Sequence, residues 1–450
     1  MPQRLVFRRA ALWDARGSTA DLLVEDGRVA EISQAPLPRS PGDWDIEARG
    51  RLLLPGFVDA HTHLERRLAR GLSAGTGASR GHPQLEEPLR SRFERALNHE
   101  DLQAAARLGL AESVLAGTTT VFALCRAPAC AEGALDQLAQ AAESVGLRAV
   151  LAYGCSQRDG AFTVGVQENA RFCEAHKDHP LVRGMVGLTH PDDASDTALD
   201  ALADLVSRHG LHFHAAETEA ELAQGFHVFG RRTLERLGAL GLLNGRTLAA
   251  HLNHVSRRET LTLADAGATC VFTPRAALFA EERPPRLEAL LDAGPHGAVG
   301  TDGVGSDVAA ELAFGFALWR RTARPLAWQG FYALERLAIG GARLVQRIFA
   351  LTRAGERGAL EPGRLQVGDA ADLVLVEDYG ATPAGGAAPG IGSPESGSIV
   401  QLAQVMGGAR VAWTVVAGRV LVREGELLGQ DLRQLSTNAY ARAEQVWKRL

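Results

Sequence analysis

The chain has 450 residues, is 46% hydrophobic and carries a formal net charge of -5, enough apolar material for a large core and too much for extended disorder. The small charge, mixed in sign, gives no reason to expect nucleic acid or an anionic membrane as partner. With no apolar run of about 18 residues, no signal-peptide core and five cysteines without a pairing framework, it reads as a reduced, soluble, cytoplasmic protein.

Residues 1–54 read as short strands with turn signals, "LVFRRAALWD" then "DLLVEDGRVAEI", in which Asp26-Gly27 marks a hairpin. A similar pattern returns over 356–430 in "ADLVLVED" and "RVAWTVVAGRVLVREGEL", with "YGATPAGGAAPGIGSPESGS" as a loop, and 431–450 reads as a C-terminal helix. Neither β segment can bury a core alone, so the two are expected to pair into one small β-sandwich. Over 55–355, apolar runs alternate with helical periodicity: "FVDAHTHL", "GTTTVFAL", "LRAVLAYG", "VRGMVGLTH", "LHFHAAE", "TLAAHLN", "ATCVFTP" and "HGAVGTDG". The expected fold class is α/β: a (β/α)8 TIM barrel with its reactive groups at the C-terminal strand ends, plus a small β-sandwich domain built from both chain ends.

In "PGFVDAHTHL", strand alternation puts His61 and His63 on one face and Thr62 on the other. Further ionisable groups fall at the ends of later strands: His212, His214 and Glu217 on the fifth, His251 and His254 on the sixth, Asp302 on the eighth. A lone histidine in an apolar run is most often a hydrogen-bonded core residue, but a barrel brings these to one mouth. Three imidazoles and a carboxylate make a borderline-soft site for a divalent metal, zinc first, with Fe2+ or Mn2+ as alternatives. His212 and His214 share a strand face, so alternation alone leaves open which of them is the ligand.

"PGFVDAHTHL", "FHAAETE", "AAHLNH" and "GTDGVGSD" resemble, in order, the motifs of the metal-dependent amidohydrolase superfamily. The chain is most similar to the branch of cytosine and guanine deaminases and triazine hydrolases, and within it to SsnA-type aminohydrolases, through "HTHLERRLARGL", "AGTTTVFAL" and "VGLRAVLAYGCSQRDG" among other stretches. The resemblance implies that His61, His63, His214 and Asp302 bind one metal, with Asp302 also the general base, Glu217 the proton shuttle and His251 the group that orients the attacked atom. Its His-x-x-Glu spacing favours His214 and leaves His212 as a pocket residue. It also implies a small-molecule substrate and a homodimer. Many relatives bridge two metals with a modified lysine, but the two lysines here, Lys177 in a polar loop and Lys448 in the terminal helix, lie off every mid-barrel strand. A single metal is expected.

Two substrate-facing motifs depart from the family pattern. "FTPRAA", Phe272 to Ala277, replaces His-Asn-Pro-x-Ser-Asn and introduces Arg275. On strand four Thr189 holds a histidine's place and His190 follows it, an offset that turns a strand side chain to the other face unless a bulge intervenes. His190, Thr189, Arg275 and His212 are the expected substrate-binding residues, and "SAGTGASRGHPQLEEPLRSR" is expected as a surface loop or lid. The expected activity is hydrolysis of a non-peptide carbon–nitrogen bond, most directly deamination of a small nitrogen-rich heterocycle. The rivals are an amide or ureide hydrolase on an acyclic substrate, and a non-catalytic binding protein that kept the scaffold.

Overall fold

The computed structural model describes residues 4–12, 19–72, 83–280, 296–322, 337, 340–349, 365–377 and 410–450. The chain divides into two compact units, one of Met1–Val58, Glu112–Thr120 and Asp307–Gln430, the other of Asp59–Ala111, Val121–Ser306 and Asp431–Leu450. No described helix is long and apolar enough to cross a membrane.

Strands from both chain ends join into one nine-stranded sheet. Leu5–Leu12, Thr19–Glu25 and Arg28–Ser33 form an antiparallel meander, and Arg51–Pro55 connects it to Leu373–Glu377, Val411–Val416 and Arg419–Arg423. The hairpin at Asp26-Gly27 has both residues left-handed, φ 50° and 75°, the type I′ geometry that matches strand twist. The inward residues of both halves, Phe7, Leu22, Leu53, Leu375 and Val415 among them, share one core, and the Trp44 and Trp413 rings meet edge to face at 6.3 Å. Each such buried side chain contributes roughly 1.5–3 kcal/mol, which explains why the halves pair across so much intervening chain. The Gly/Pro-rich loop at 379–398 lies outside the described residues.

The second sheet is a parallel barrel, read in order through Phe57–Thr62, Thr118–Cys125, Arg148–Cys155, Val186–Leu188, Leu211–Ala215, Thr247–His251, Thr269–Phe272 and His296–Val299. Every sequence-read barrel strand is present, and the fourth is broken at Met185, with Val182–Gly184 paired on the third. The eighth strand is tied to the first beyond its last residue. The Asp302 N–H donates to the His61 carbonyl at 2.9 Å, and Thr301 donates its N–H and hydroxyl to the Asp59 carboxylate at 3.0 and 2.6 Å. Gly187 stands level with His212 and Gly154, where a Cβ would lie 2.3 Å from the Tyr153 carbonyl oxygen. Backbone cannot yield as a side-chain tip does, so Gly187→Ala is expected to destabilise the barrel by about 1–3 kcal/mol, read as a lower urea midpoint; an unchanged midpoint would mean that the strands separate freely there.

One expectation needs correction. The loop read over 73–92 is partly helical: 73–82 lie outside the described residues, but Pro83–Ala96 is a helix. Leu89, Phe93 and Leu97 recur at helical spacing, with Phe93 and Leu97 buried, a signal that the Gly/Ser-rich start of the segment concealed. The C-terminal helix Leu432–Trp447 is capped by Asp431. Its Arg442 Nε donates to buried Asp101 at 2.6 Å, and its Trp447 Nε1–H donates to the Leu68 carbonyl at 2.8 Å.

Candidate metal centre

The first strand delivers His61 and His63 to the barrel mouth, the fifth His214, and the turn after the eighth Asp302. One donor atom from each of these four buried residues lies within 4.8 Å of the others. Asp302 Oδ1 is 3.2 Å from His61 Nε2 and 3.3 Å from His63 Nε2, and His63 Nε2 faces His214 Nε2 at 3.1 Å. Burial pushes the His61 imidazole down to about 3 and those of His212 and His214 well below the usual histidine range, so these rings are neutral and have lone pairs to offer. His63 differs: burial and Arg66 lower it, but Asp302 and Glu65 outweigh them and raise it. The positive charge that the carboxylates favour falls where the four donors converge. The neutral imidazoles of His61 and His214, with His63 and the ionised Asp302 carboxylate aimed at the same point, fit a divalent cation.

His212 and His214 separate once the fold is in hand. His212 Nε2 sits 2.8 Å from His61 Nδ1 and so fixes which His61 nitrogen faces Asp302, while His214 enters the cluster. Burial works against the charge of Asp302, but Arg66, His61 and His63 hold its carboxyl well below the usual carboxylate range. Glu217 Oε2 lies 3.8 Å from His214 Nδ1 and 3.9 Å from His251 Nε2. Burial pushes Glu217 up, yet His251, Arg90 and His190 outweigh it and hold the group at about 2.

Past the fourth strand, Thr189 continues the ladder, its N–H to the Cys155 carbonyl and its carbonyl to the His214 N–H. Its hydroxyl bridges Gly154 O and Arg126 Nη1 at 3.0 and 3.1 Å. The chain then leaves the strand, so parity no longer governs His190, whose ring lies 5.3 Å from that of His214 and which groups with His214 and Glu217 within 4.8 Å. Arg275 packs over Gly305, where a Cβ would meet its Nη2 at 2.6 Å. His254 stands apart from the cluster, 3.9 Å from Glu219.

Several site residues escaped sequence reading. Glu65 Oε1 is 3.3 Å from His63 Nδ1, Arg66 Nη1 is 3.2 Å from Asp302 Oδ1, and Arg67 Nη1 donates to the Gly303 carbonyl at 2.6 Å. All three ride on the 3-10 turn Leu64–Ala69. Thr273, in the altered "FTPRAA", lies 3.1 Å from His251 Nδ1. The mouth also concentrates left-handed residues that are not glycine: Ala216, His251, Leu252 and Asp302, with φ of 49°, 73°, 59° and 50°. Each stores of order 1–3 kcal/mol, a cost tolerated where side chains must be aimed.

Residues 52–421 match the model of the amidohydrolase family. The chain belongs to that family. Over 428 residues this amidohydrolase is 28% identical to the 5'-deoxyadenosine deaminase of Methanothermobacter thermautotrophicus, covering 92% of this chain and 90% of the relative. It is 29% identical over 450 residues to the 5-methylthioadenosine/S-adenosylhomocysteine deaminase of Halobacterium salinarum, covering 95% and 94%. Among solved structures its fold is similar to an adenosine deaminase from Xanthomonas campestris with bound zinc, at TM-score 0.80 and 21% identity, covering 99% of this chain and 98% of that one. Atrazine chlorohydrolase from Arthrobacter aurescens TC1, complexed with zinc, gives 0.77 and 22%, covering 98% and 100%.

Proposed function

We propose that this amidohydrolase is a mononuclear, zinc-dependent enzyme, cytoplasmic and homodimeric, that deaminates a small nitrogen-rich heterocycle. The observation that carries the reading is the convergence of His61, His63, His214 and Asp302 with Glu217 and His251 at their edge. The deaminase names of the curated relatives support a ring amine over an acyclic amide as the bond attacked. A bound divalent cation supplies Lewis-acid polarisation and makes water nucleophilic near neutral pH.

The chain's own residues do the rest. Asp302 is ionised and accepts the proton of the attacking water at a carboxylate oxygen. Glu217 is also ionised, so it takes the second proton of the water and passes it to the ring nitrogen, while the proton held on Asp302 goes to the amine, which leaves as ammonia. With the Thr273 hydroxyl as donor to Nδ1, His251 carries its proton at Nε2, 3.9 Å from both Asp302 Oδ1 and Glu217 Oε2, aimed at the oxygen that adds to carbon. "FTPRAA" therefore changes the pocket yet still supplies the group that orients His251.

The deciding experiment is ammonia release across aminated purines, pyrimidines and triazines, beside acyclic amides and ureides, with metal-stripped and zinc-reloaded protein. Ammonia from ring amines that depends on reloading is expected. Carboxylate from acyclic substrates alone would establish the amide or ureide hydrolase instead.

A further inference from the structure

The carboxylate of Glu221 takes no part in the chemistry above, yet its bonds lead to the site. The helix Glu219–Phe229 starts at Thr218, whose hydroxyl accepts the Glu221 N–H at 3.1 Å, half of a capping box. In a complete box the third-position glutamate returns to the N–H of the cap residue, as Glu259 does for Ser256 at 3.0 Å in the helix Arg257–Asp265. Glu221 instead reaches upstream: Oε1 accepts the Ala216 N–H at 3.0 Å and Oε2 the Glu217 N–H at 2.7 Å.

The peptide so held would not adopt its shape unaided. Ala216 is left-handed at φ 49°, a conformation that a Cβ disfavours. Its carbonyl accepts from the His254 N–H at 2.9 Å, and the Glu217 carbonyl accepts from Asn253 Nδ2 at 3.0 Å. Glu217 is gripped at its N–H by one element and at its C=O by another, which leaves its side chain facing His214 and His251.

We infer that Glu221 is a positioning residue for Glu217, with Asn253 as its counterpart: the diverted cap aims the carboxylate that carries the proton. The inference rests on the proposed role of Glu217. The test compares Glu221→Gln, Thr218→Ala and Glu217→Gln in zinc-loaded protein, reading kcat, KM, bound metal and melting temperature. A Gln side chain keeps one acceptor but turns an NH2 group towards the second N–H. Misplacement of about 1 Å costs on the order of a hundredfold, so Glu221→Gln is expected to lose 10- to 100-fold in kcat by about that rule, with KM and bound metal unchanged. Thr218→Ala, which weakens the same helix cap, should lower the melting temperature without that loss.

Wild-type kcat in Glu221→Gln, or equal losses in Glu221→Gln and Thr218→Ala that follow the melting temperature, would overturn the positioning role. If Glu221→Gln does not fold, Asn253→Ala is read in the same assay, and full kcat there overturns it likewise. Glu217→Gln separates the two claims. If it keeps the wild-type rate, the proton-carrier reading fails; if it is inactive while Glu221→Gln is not, only the positioning role fails.

Discussion

Asp302→Asn is expected to lower kcat about ten-thousand-fold, the scale seen when a member of a catalytic unit is removed, and to release metal. Oδ1 is where His61, His63 and Arg66 meet, at 3.2, 3.3 and 3.2 Å. An amide has nearly the same shape but no charge, so it loses both the anionic donor and the proton acceptor in one change. The barrel should survive, because the tie between the eighth and first strands runs through the main-chain N–H of residue 302 to the His61 carbonyl. Turnover paired with metal-to-protein ratio by plasma emission is the measurement. A variant that retained stoichiometric zinc and a tenth of the wild-type rate would take Asp302 out of the centre.

Glu217→Gln should separate binding from chemistry. Glu217 lies beside the donor cluster, 3.8 Å from the His214 nitrogen that faces away from His63, so metal content and KM are expected to stay close to wild type. kcat should fall by roughly a hundred- to ten-thousand-fold, the usual worth of a positioned acid or base. The group is held at about 2, so at neutral pH it is a proton acceptor before it is a donor, and a glutamine can be neither. If added small carboxylic acids failed to restore any rate and zinc were also lost, the residue would be a support of the metal instead.

What the sequence discloses here is what depends on period and spacing. His61 and His63 could be placed on one face because strands alternate, and the strand order followed from the rhythm of apolar runs and Gly-terminated helices. Contacts made by turns were hidden. Glu65, Arg66 and Arg67 sit on a 3-10 turn whose directions no strand or helix period encodes. Thr273 resembles a lost polar group until the seventh strand brings it beside His251. Alternation could not choose between His212 and His214; the family's His-x-x-Glu spacing favoured His214, and in the structure His214 joins the donor cluster while His212 contacts His61 Nδ1 at 2.8 Å. The helix Pro83–Ala96 was masked by the Gly and Ser residues that precede it.

The indole of Trp447 holds the carbonyl of Leu68, on the same turn as Glu65, Arg66 and Arg67. The order of that turn therefore rests in part on a side chain from the far end of the polypeptide. Two stretches that lie almost four hundred positions apart thus meet at the turn that carries the residues behind the donor cluster.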